Sequence, residues 1–320
     1  MDQTSDHLLN GLVITDQSGF FSVEAGDGKV YVCRLRGRLM EEAQSSDIAA
    51  IGDRVKITVS EDGTGVIEEV QERISVLSRA MRTEGNRGAG QREREHVIIA
   101  NADQAIFVFA AAQPTPNFRL LDRFLVTGEK AGIKNLVIVV NKIDLEDISD
   151  INADFAPYEK MGYRVLHTSA RDGVGVLEMR QLLKDRISVF TGPSGVGKTT
   201  LLNLIQPGLG RAVKAVSQTS SEGVHTTRDS ALIKLTNGGH LADTPGIRTL
   251  ALWDIEPEEL DAYFVDIASY VPKCRFGDCT HHNEPGCAVR SAVDEGVISR
   301  KRYQSYLSLR DELEESYAVY

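Results

Sequence analysis

The sequence predicts an α/β fold in three parts, and three observations predict it. Roughly the first seventy residues alternate short apolar runs with Gly, Asp and Ser turns; from Ala105 onward strand-like and helix-like segments take turns; and Cys274, Cys279, His281 and Cys287 fall within fourteen residues. In order these point to a small β-barrel, a mostly parallel sheet with helices on both faces, and a C-terminal unit stapled by a metal. The 320 residues exceed one average core, which agrees with more than one domain. Apolar residues at 42% and charged residues at 26% are ordinary for a folded chain and argue against disorder.

The longest apolar stretch, Ala105 to Ala112, is far short of the roughly 20 residues that span a bilayer. The acidic start MDQTSDHLLNG lacks the basic and apolar order of a secretory signal. A cytoplasmic protein with no membrane partner is therefore expected. A net charge of -10 disfavours indiscriminate binding to nucleic acid, although it leaves room for local basic patches.

In the first part, strands are expected at Leu12 to Ile14, Phe20 to Val23, Val30 to Cys33, Val55 to Val59 and Gly65 to Val70. Five short strands suit an OB fold, a barrel with a nucleic-acid-binding face, though an SH3-like barrel has much the same pattern. Arg34, Arg36 and Arg38 alternate, so on one strand they would share a face, either as a basic stripe or as an ordinary solvated edge. Next, Leu77 to His96 is poor in apolar residues and holds five arginines against three glutamates, which predicts a mobile basic linker. The expected boundaries are 1–75 for the barrel, 76–96 for the linker, 97–255 for the α/β domain and 256–320 for the metal unit.

Within the α/β part, strands are expected at Ala105 to Phe109, Leu136 to Val140, Val165 to Thr168 and Ile187 to Thr191. Helices should follow after Asn117, near Phe155, near Leu177 and from Lys198. The loops at the strand C-termini are where such sheets bind ligands. One of them carries Gly192, Pro193, Ser194, Gly195, Val196, Gly197, Lys198 and Thr199, a full GxxxxGK[ST] set between strand and helix, with Thr200 next. Glycines let backbone N–H groups wrap a phosphate where a Cβ would intrude, and the helix N-terminus adds a favourable dipole. Lys198 would reach the β and γ phosphates, and Thr199 would bind Mg²⁺.

The base is indicated by Asn141, Lys142, Ile143 and Asp144, an NKxD box. A carboxylate at Asp144 accepts from guanine N1–H and N2–H, whereas adenine offers no such pair, so GTP is favoured over ATP. Asn141 would contact the purine and brace the phosphate loop, and the stem of Lys142 would cover a ring face. Thr168, Ser169 and Ala170 resemble the loop whose backbone N–H groups reach guanine O6. Asp243 to Gly246 form a DxxG box, with Asp243 on Mg²⁺ through water and the Gly246 N–H on the γ-phosphate. Upstream, His225, Thr226 and Thr227 lie in a polar stretch suited to a switch loop, and either threonine could ligate Mg²⁺.

The boxes run NKxD, TSA, phosphate loop, HTT, DxxG, whereas Ras-like chains start with the phosphate loop. That order marks a circularly permuted Ras-like P-loop GTPase core. Because the chain runs from the DxxG region straight into the C-terminal unit, nucleotide state could pull on that unit. There, three thiols and an imidazole suit tetrahedral Zn²⁺ with no open position, hence a structural site; His282 is a rival ligand. Past it, Tyr303, Tyr306, Leu307, Arg310 and Leu313 sit at helical spacing to pack, while Arg300, Lys301 and Arg302 are candidates to meet phosphate.

With these boxes in this order, the chain resembles the ribosome small-subunit-dependent GTPase family, called RsgA or YjeQ, over nearly its whole length. The resemblance implies an OB domain, a permuted GTPase domain and a zinc domain. It also implies a late-acting assembly GTPase that binds the small ribosomal subunit and its rRNA, hydrolyses GTP faster there, and leaves with GDP. Such a protein would act as a monomer. Ile247 stands where Ras-like enzymes use glutamine to orient water; in similar proteins the switch histidine, here His225, is thought to serve instead. An RNA-binding adaptor with a purely structural nucleotide is the alternative.

Overall fold

The computed structural model describes residues 8–17, 19–42, 47–81, 94–213, 231–243 and 255–318. Alternation in the first part folds into strands β1 (Leu9–Gln17), β2 (Phe20–Ala25), β3 (Val30–Leu35), β4 (Arg54–Val59) and β5 (Thr64–Val70). β1 pairs with both β2 and β4, and β3 runs parallel to β5, which closes the barrel in the order β1-β2-β3-β5-β4. Every second residue points inward: Val13, Phe21, Val23, Cys33, Val55, Ile57 and Ile67 form its core. Cys33 is thus a packing residue, and burial pushes its thiol up to about 11.

The arginine stripe is only partly realised. Arg34 lies on β3 with its guanidinium 4.5 Å from the Phe20 ring centroid. The strand ends at Leu35, however, and the chain turns into helix α1 (Gly37–Glu42). Arg36 pairs with the Glu68 carboxylate and Arg38 donates to the Glu68 carbonyl, so the three do not line one strand face.

The expected linker also differs from what forms at its ends. Val76–Met81 and Arg94–Ala100 are strands β6 and β7 of an antiparallel pair, Val76 opposite Ala100 and Met81 opposite Arg94, with the register shifting by one residue between Leu77 and Ser78. Leu77, Ile98 and Ile99 are buried in the core shared with the α/β part. The buried residues cluster at the base of this pair, in Val97 to Ala100 and Leu77, while its other end carries Arg79, Arg94, Glu95 and His96, which is why composition alone reads as linker.

The α/β part is built on β8 (Gln104–Ala110), β9 (Asn135–Asn141), β10 (Arg164–His167), β11 (Ile187–Thr191), β12 (Ala231–Lys234) and β13 (His240–Asp243). Their spatial order is β10-β9-β8-β11-β13-β12, parallel except for β12. β8 is buried along its whole length because helices cover both faces: α2 (Phe118–Lys130) and α3 (Ile148–Lys160) on one, α4 (Val176–Leu182) and α5 (Lys198–Ile205) on the other. β12 continues into the barrel by pairing with β1, Thr15 opposite Ala231, so one eleven-stranded sheet runs through both parts. At that seam Glu24 meets Lys234 and, at 2.8 Å, His240. Burial opposes charge on Glu24, but these two partners outweigh it and hold its carboxyl below the usual range.

The C-terminal unit comprises a 3₁₀ turn at Leu260–Tyr263 and helices α6 (Val265–Ala268), α7 (Ala288–Asp294) and α8 (Arg300–Ala318). Arg302, Tyr306, Leu309 and Leu313 recur at helical spacing on the buried face of α8. Arg302 therefore does not face phosphate, contrary to expectation. It is 2% exposed, pairs with Asp122 of α2 and, at 3.2 Å, with Asp266, and lies 4.5 Å from the centroid of Phe264. Tyr158 of α3 donates to the same Asp122 oxygen at 2.9 Å. Lys301 pairs with Asp154 and Arg300 with Asp294, both at the surface. No helix of the described residues is long and apolar enough to cross a membrane.

Replacing Arg302 by Met should strand the buried Asp122 carboxylate and destabilise the protein by about 3–5 kcal/mol. Adding Asp122→Leu should recover much of that loss, as read by chemical denaturation of the two variants side by side.

Candidate nucleotide site and metal centre

Parallel strands deliver their C-terminal loops to one edge, and there the structure brings most of the sequence-predicted boxes together. β9 ends in Asn141, β10 leads into Thr168, and β11 leads into the loop Gly192 to Gly197. Asn141 is fully buried and ties these loops to one another. Its Nδ2 donates to the Val196 carbonyl at 2.8 Å, while its Oδ1 accepts from Thr168 Oγ1 and from the Ala170 N–H, both at 3.1 Å. The bracing role is therefore observed, and it reaches two loops rather than one.

The phosphate loop has its glycines for steric reasons. A Cβ on Gly192 would stand 2.1 Å from the Val108 carbonyl of β8, and one on Gly197 would stand 2.4 Å from Asn141 Nδ2, with φ there at +92°. Gly197 caps α5, so the first turn of that helix, with Lys198, Thr199 and Thr200, opens at the sheet edge. Ser194, Gly195, Thr199 and Thr200 are exposed, Pro193 is half-buried and Val196 is packed in the core. Lys198 Nζ donates to the carbonyls of Gly192 and Pro193 at 2.6 and 2.5 Å, which places its ammonium inside the loop.

In the NKxD box, Lys142 adopts a left-handed φ of 62° and donates to the Gln113 carbonyl in the loop before α2. Ile143 and Asp144 begin the short 3₁₀ turn Ile143–Leu145. Ser169 Oγ donates to Asp144 Oδ1 at 2.8 Å, and Arg171 Nη1 approaches Asp144 Oδ2 at 3.8 Å. Gln113 and Arg171 carry no motif signal, and sequence reasoning missed both. Asp243 ends β13 one residue past Ala242, the partner of Val189, so its backbone is level with Phe190, two residues before the phosphate loop. His225, Thr226, Thr227 and Gly246 lie outside the described residues.

The second cluster is Cys274, Cys279, His281 and Cys287, whose ligand atoms all lie within 4.8 Å of one another. Cys274 and Cys287 Sγ are 4.0 Å apart, and His281 Nδ1 lies 3.6 and 3.4 Å from them. A tetrahedral ion with bonds near 2.3 Å to sulfur and 2.0 Å to nitrogen spaces its ligands at about 3.8 and 3.5 Å. The donor set thus fits a closed, four-coordinate metal site. His281 is buried and His282 exposed, which decides between them. Burial pushes the Cys279 thiol up to about 12, while at Cys274 burial is outweighed by the backbone N–H groups of Val289 and Ala288 and its pKa falls. Sequence reasoning missed Asp261, whose Oδ2 lies 3.1 Å from His281 Nε2.

Residues 70–253 match the family model of the RsgA GTPase, and residues 10–67 match that of the RsgA N-terminal domain. The chain belongs to the RsgA GTPase family. It is 42% identical to the small ribosomal subunit biogenesis GTPase RsgA of Chlorobaculum parvum over 317 residues, 97% of this chain and all of that one. The crystal structure of YjeQ from Thermotoga maritima is 35% identical and superposes with a TM-score of 0.75, covering 96% of this chain and 99% of that. YloQ, described as a circularly permuted GTPase, gives the same TM-score at 32% identity, over 99% of this chain and 98% of that. As an RsgA GTPase the chain has a permuted core, and the barrel before it is the family's N-terminal domain.

Gly197→Ala should force Asn141 off the Val196 carbonyl and lower guanine nucleotide affinity by about 10-fold or more, since a buried acceptor left unpaired costs ~1–3 kcal/mol. Titration with a fluorescent GDP analogue checks this, and an unchanged affinity would show that the Asn141 cross-link does not shape the pocket.

Proposed function

We propose that this RsgA GTPase hydrolyses GTP in response to the small ribosomal subunit, late in that particle's maturation. The observation that carries this is the convergence of guanine-type and phosphate-type loops on the edge of a sheet that is continuous with a barrel. The names of its full-length relatives add the particle: they are small ribosomal subunit biogenesis GTPases. Within this reading, residues 1–75 and 256–320 contact the rRNA-bearing partner and 97–255 turn over nucleotide. The protein acts as a monomer in the cytoplasm.

Each residue then has a physical task. Asp144 accepts the two guanine donors once Ser169 yields, Lys142 lays its stem along the ring, Ile143 seats the turn, and the Ser169 and Ala170 backbone meets O6. Gly192, Pro193, Ser194, Gly195, Val196 and Gly197 wrap the phosphates, with Thr200 completing the helix start. Lys198 moves its ammonium from the loop carbonyls onto the phosphate oxygens, trading neutral acceptors for charged ones. Thr199, Asp243 and either Thr226 or Thr227 would hold Mg²⁺, which supplies positive charge against the phosphates. The Gly246 N–H binds the γ-phosphate. His225 orients the attacking water, a task Ile247 cannot perform.

The Cys3His cluster would hold Zn²⁺ through Cys274, Cys279, His281 and Cys287, and a closed set of this kind supplies folding energy rather than chemistry. Its role here is to fix a unit with a small core of its own.

Phosphate release from GTP should rise strongly when purified small subunits are added and should not rise with ATP. His225→Ala should forfeit the increase, a factor on the order of 10², while still binding GTP. No increase with subunits, or equal use of ATP, would favour a nucleotide-stabilised RNA adaptor instead. Asp144→Asn should weaken GTP by roughly 10- to 100-fold through loss of a charged acceptor, and binding of xanthosine triphosphate, which offers a carbonyl in place of N2, should improve in the same titration.

A further inference from the structure

We infer that Asp261 is a positioning residue for the metal centre: it holds His281 so that Nδ1, and not Nε2, is presented to the ion. This rests on reading the Cys3His cluster as a zinc site. The geometry is specific. His281 Nδ1 faces two sulfurs at 3.4 and 3.6 Å, and on the far side of the ring Nε2 lies 3.1 Å from Asp261 Oδ2. With Nε2–H donating to the carboxylate, the lone pair is fixed on Nδ1, the atom among the thiols. The ring is fully buried and cannot find this orientation through water.

The rest of His281 is restrained as well. Its backbone is left-handed, at φ 63°, and its carbonyl accepts from Tyr303 Oη at 2.5 Å. Neither contact chooses between the two ring nitrogens; Asp261 does. Asp261 also comes from a different element. It sits on the 3₁₀ turn Leu260–Tyr263, whose Leu260 packs with Val126 of α2, and whose Tyr263 ring lies 5.6 Å from the Lys130 ammonium. Through Asp261, metal loading and the docking of this turn on α2 support each other. Cysteine spacing could not reveal it, because Asp261 precedes the first ligand by more than a dozen residues.

The test measures zinc affinity of the full-length protein by competition with a chromogenic chelator, after metal content is fixed by mass spectrometry. Wild-type protein that binds no zinc would sink the zinc reading itself, separately from the role of Asp261. Given zinc in the wild type, Asp261→Ala should weaken it by about 10- to 100-fold, with Asp261→Asn in between because an amide oxygen still accepts from Nε2–H. Asp266→Asn is the control for general loosening, since Asp266 pairs with Arg302 in the same unit and does not touch a ligand. It should keep wild-type affinity. Cobalt in place of zinc should give Asp261→Ala an altered visible spectrum, as a mispositioned imidazole changes the ligand field. GDP binding should be unaltered in all three, confirming folded protein. Unchanged zinc affinity in Asp261→Ala, or an equal loss in Asp266→Asn, overturns the proposal.

Discussion

The proposed nucleotide pocket depends on one buried amide. Asn141 joins the phosphate loop to the loop after β10 by one donated and two accepted hydrogen bonds, with no water to compete for them. In isolation each bond contributes about 1 kcal/mol. Their weight comes from where they act, because the segments they join are separated by 55 and 29 residues in sequence. Gly197 belongs to the same constraint, as any side chain there would displace the amide. The motif's glycine and the motif's asparagine, read separately in sequence, are two halves of one contact.

That contact also explains how the chain tolerates permutation. Strands β9, β10, β11 and β13 present their ends at one edge whatever the order in which the backbone visits them. Order in sequence matters for which loops are covalent neighbours, and the cross-link at Asn141 makes the pocket indifferent to that. What permutation does change is the neighbour of each terminus. β12, which follows the HTT stretch in sequence, pairs with β1 of the barrel, and Glu24 closes that seam on Lys234 and His240. The barrel is thus fastened to β12 and β13.

The parts legible in sequence were those encoded locally. Period two gave the barrel strands, box spacing gave the loops, and three thiols beside an imidazole gave the cluster. What escaped was encoded between distant positions. Leu77 and Ile99 face each other across a hairpin whose remaining residues look like linker. Arg302 sits in a basic triplet and is the one that turns inward, since only its helical phase aligns with Tyr306 and Leu309. Arg38 left the expected stripe because the strand stopped at Leu35, which alternation of charge does not foretell. Asp261 is a lone carboxylate until the fold sets it behind His281.

The same distant contacts limit how a nucleotide signal can travel. The chain order invites a lever in which the DxxG region pulls on the metal unit. Yet the metal unit is seated on α2 by the Arg302–Asp122 pair, by Arg119 and Arg123 reaching Glu312, and by Leu260 packing with Val126. Pulling it free would break the buried Arg302–Asp122 pair and uncover the apolar faces packed around it, a cost of several kcal/mol that a modest shift of a loop does not supply. Motion that carries α2 along leaves these contacts intact. α2 begins at Phe118, a short loop past Gln113, whose carbonyl accepts from Lys142 of the NKxD box. Contacts therefore link the NKxD box, through Gln113 and α2, to the metal unit, so that a shift of that unit would carry α2 with it.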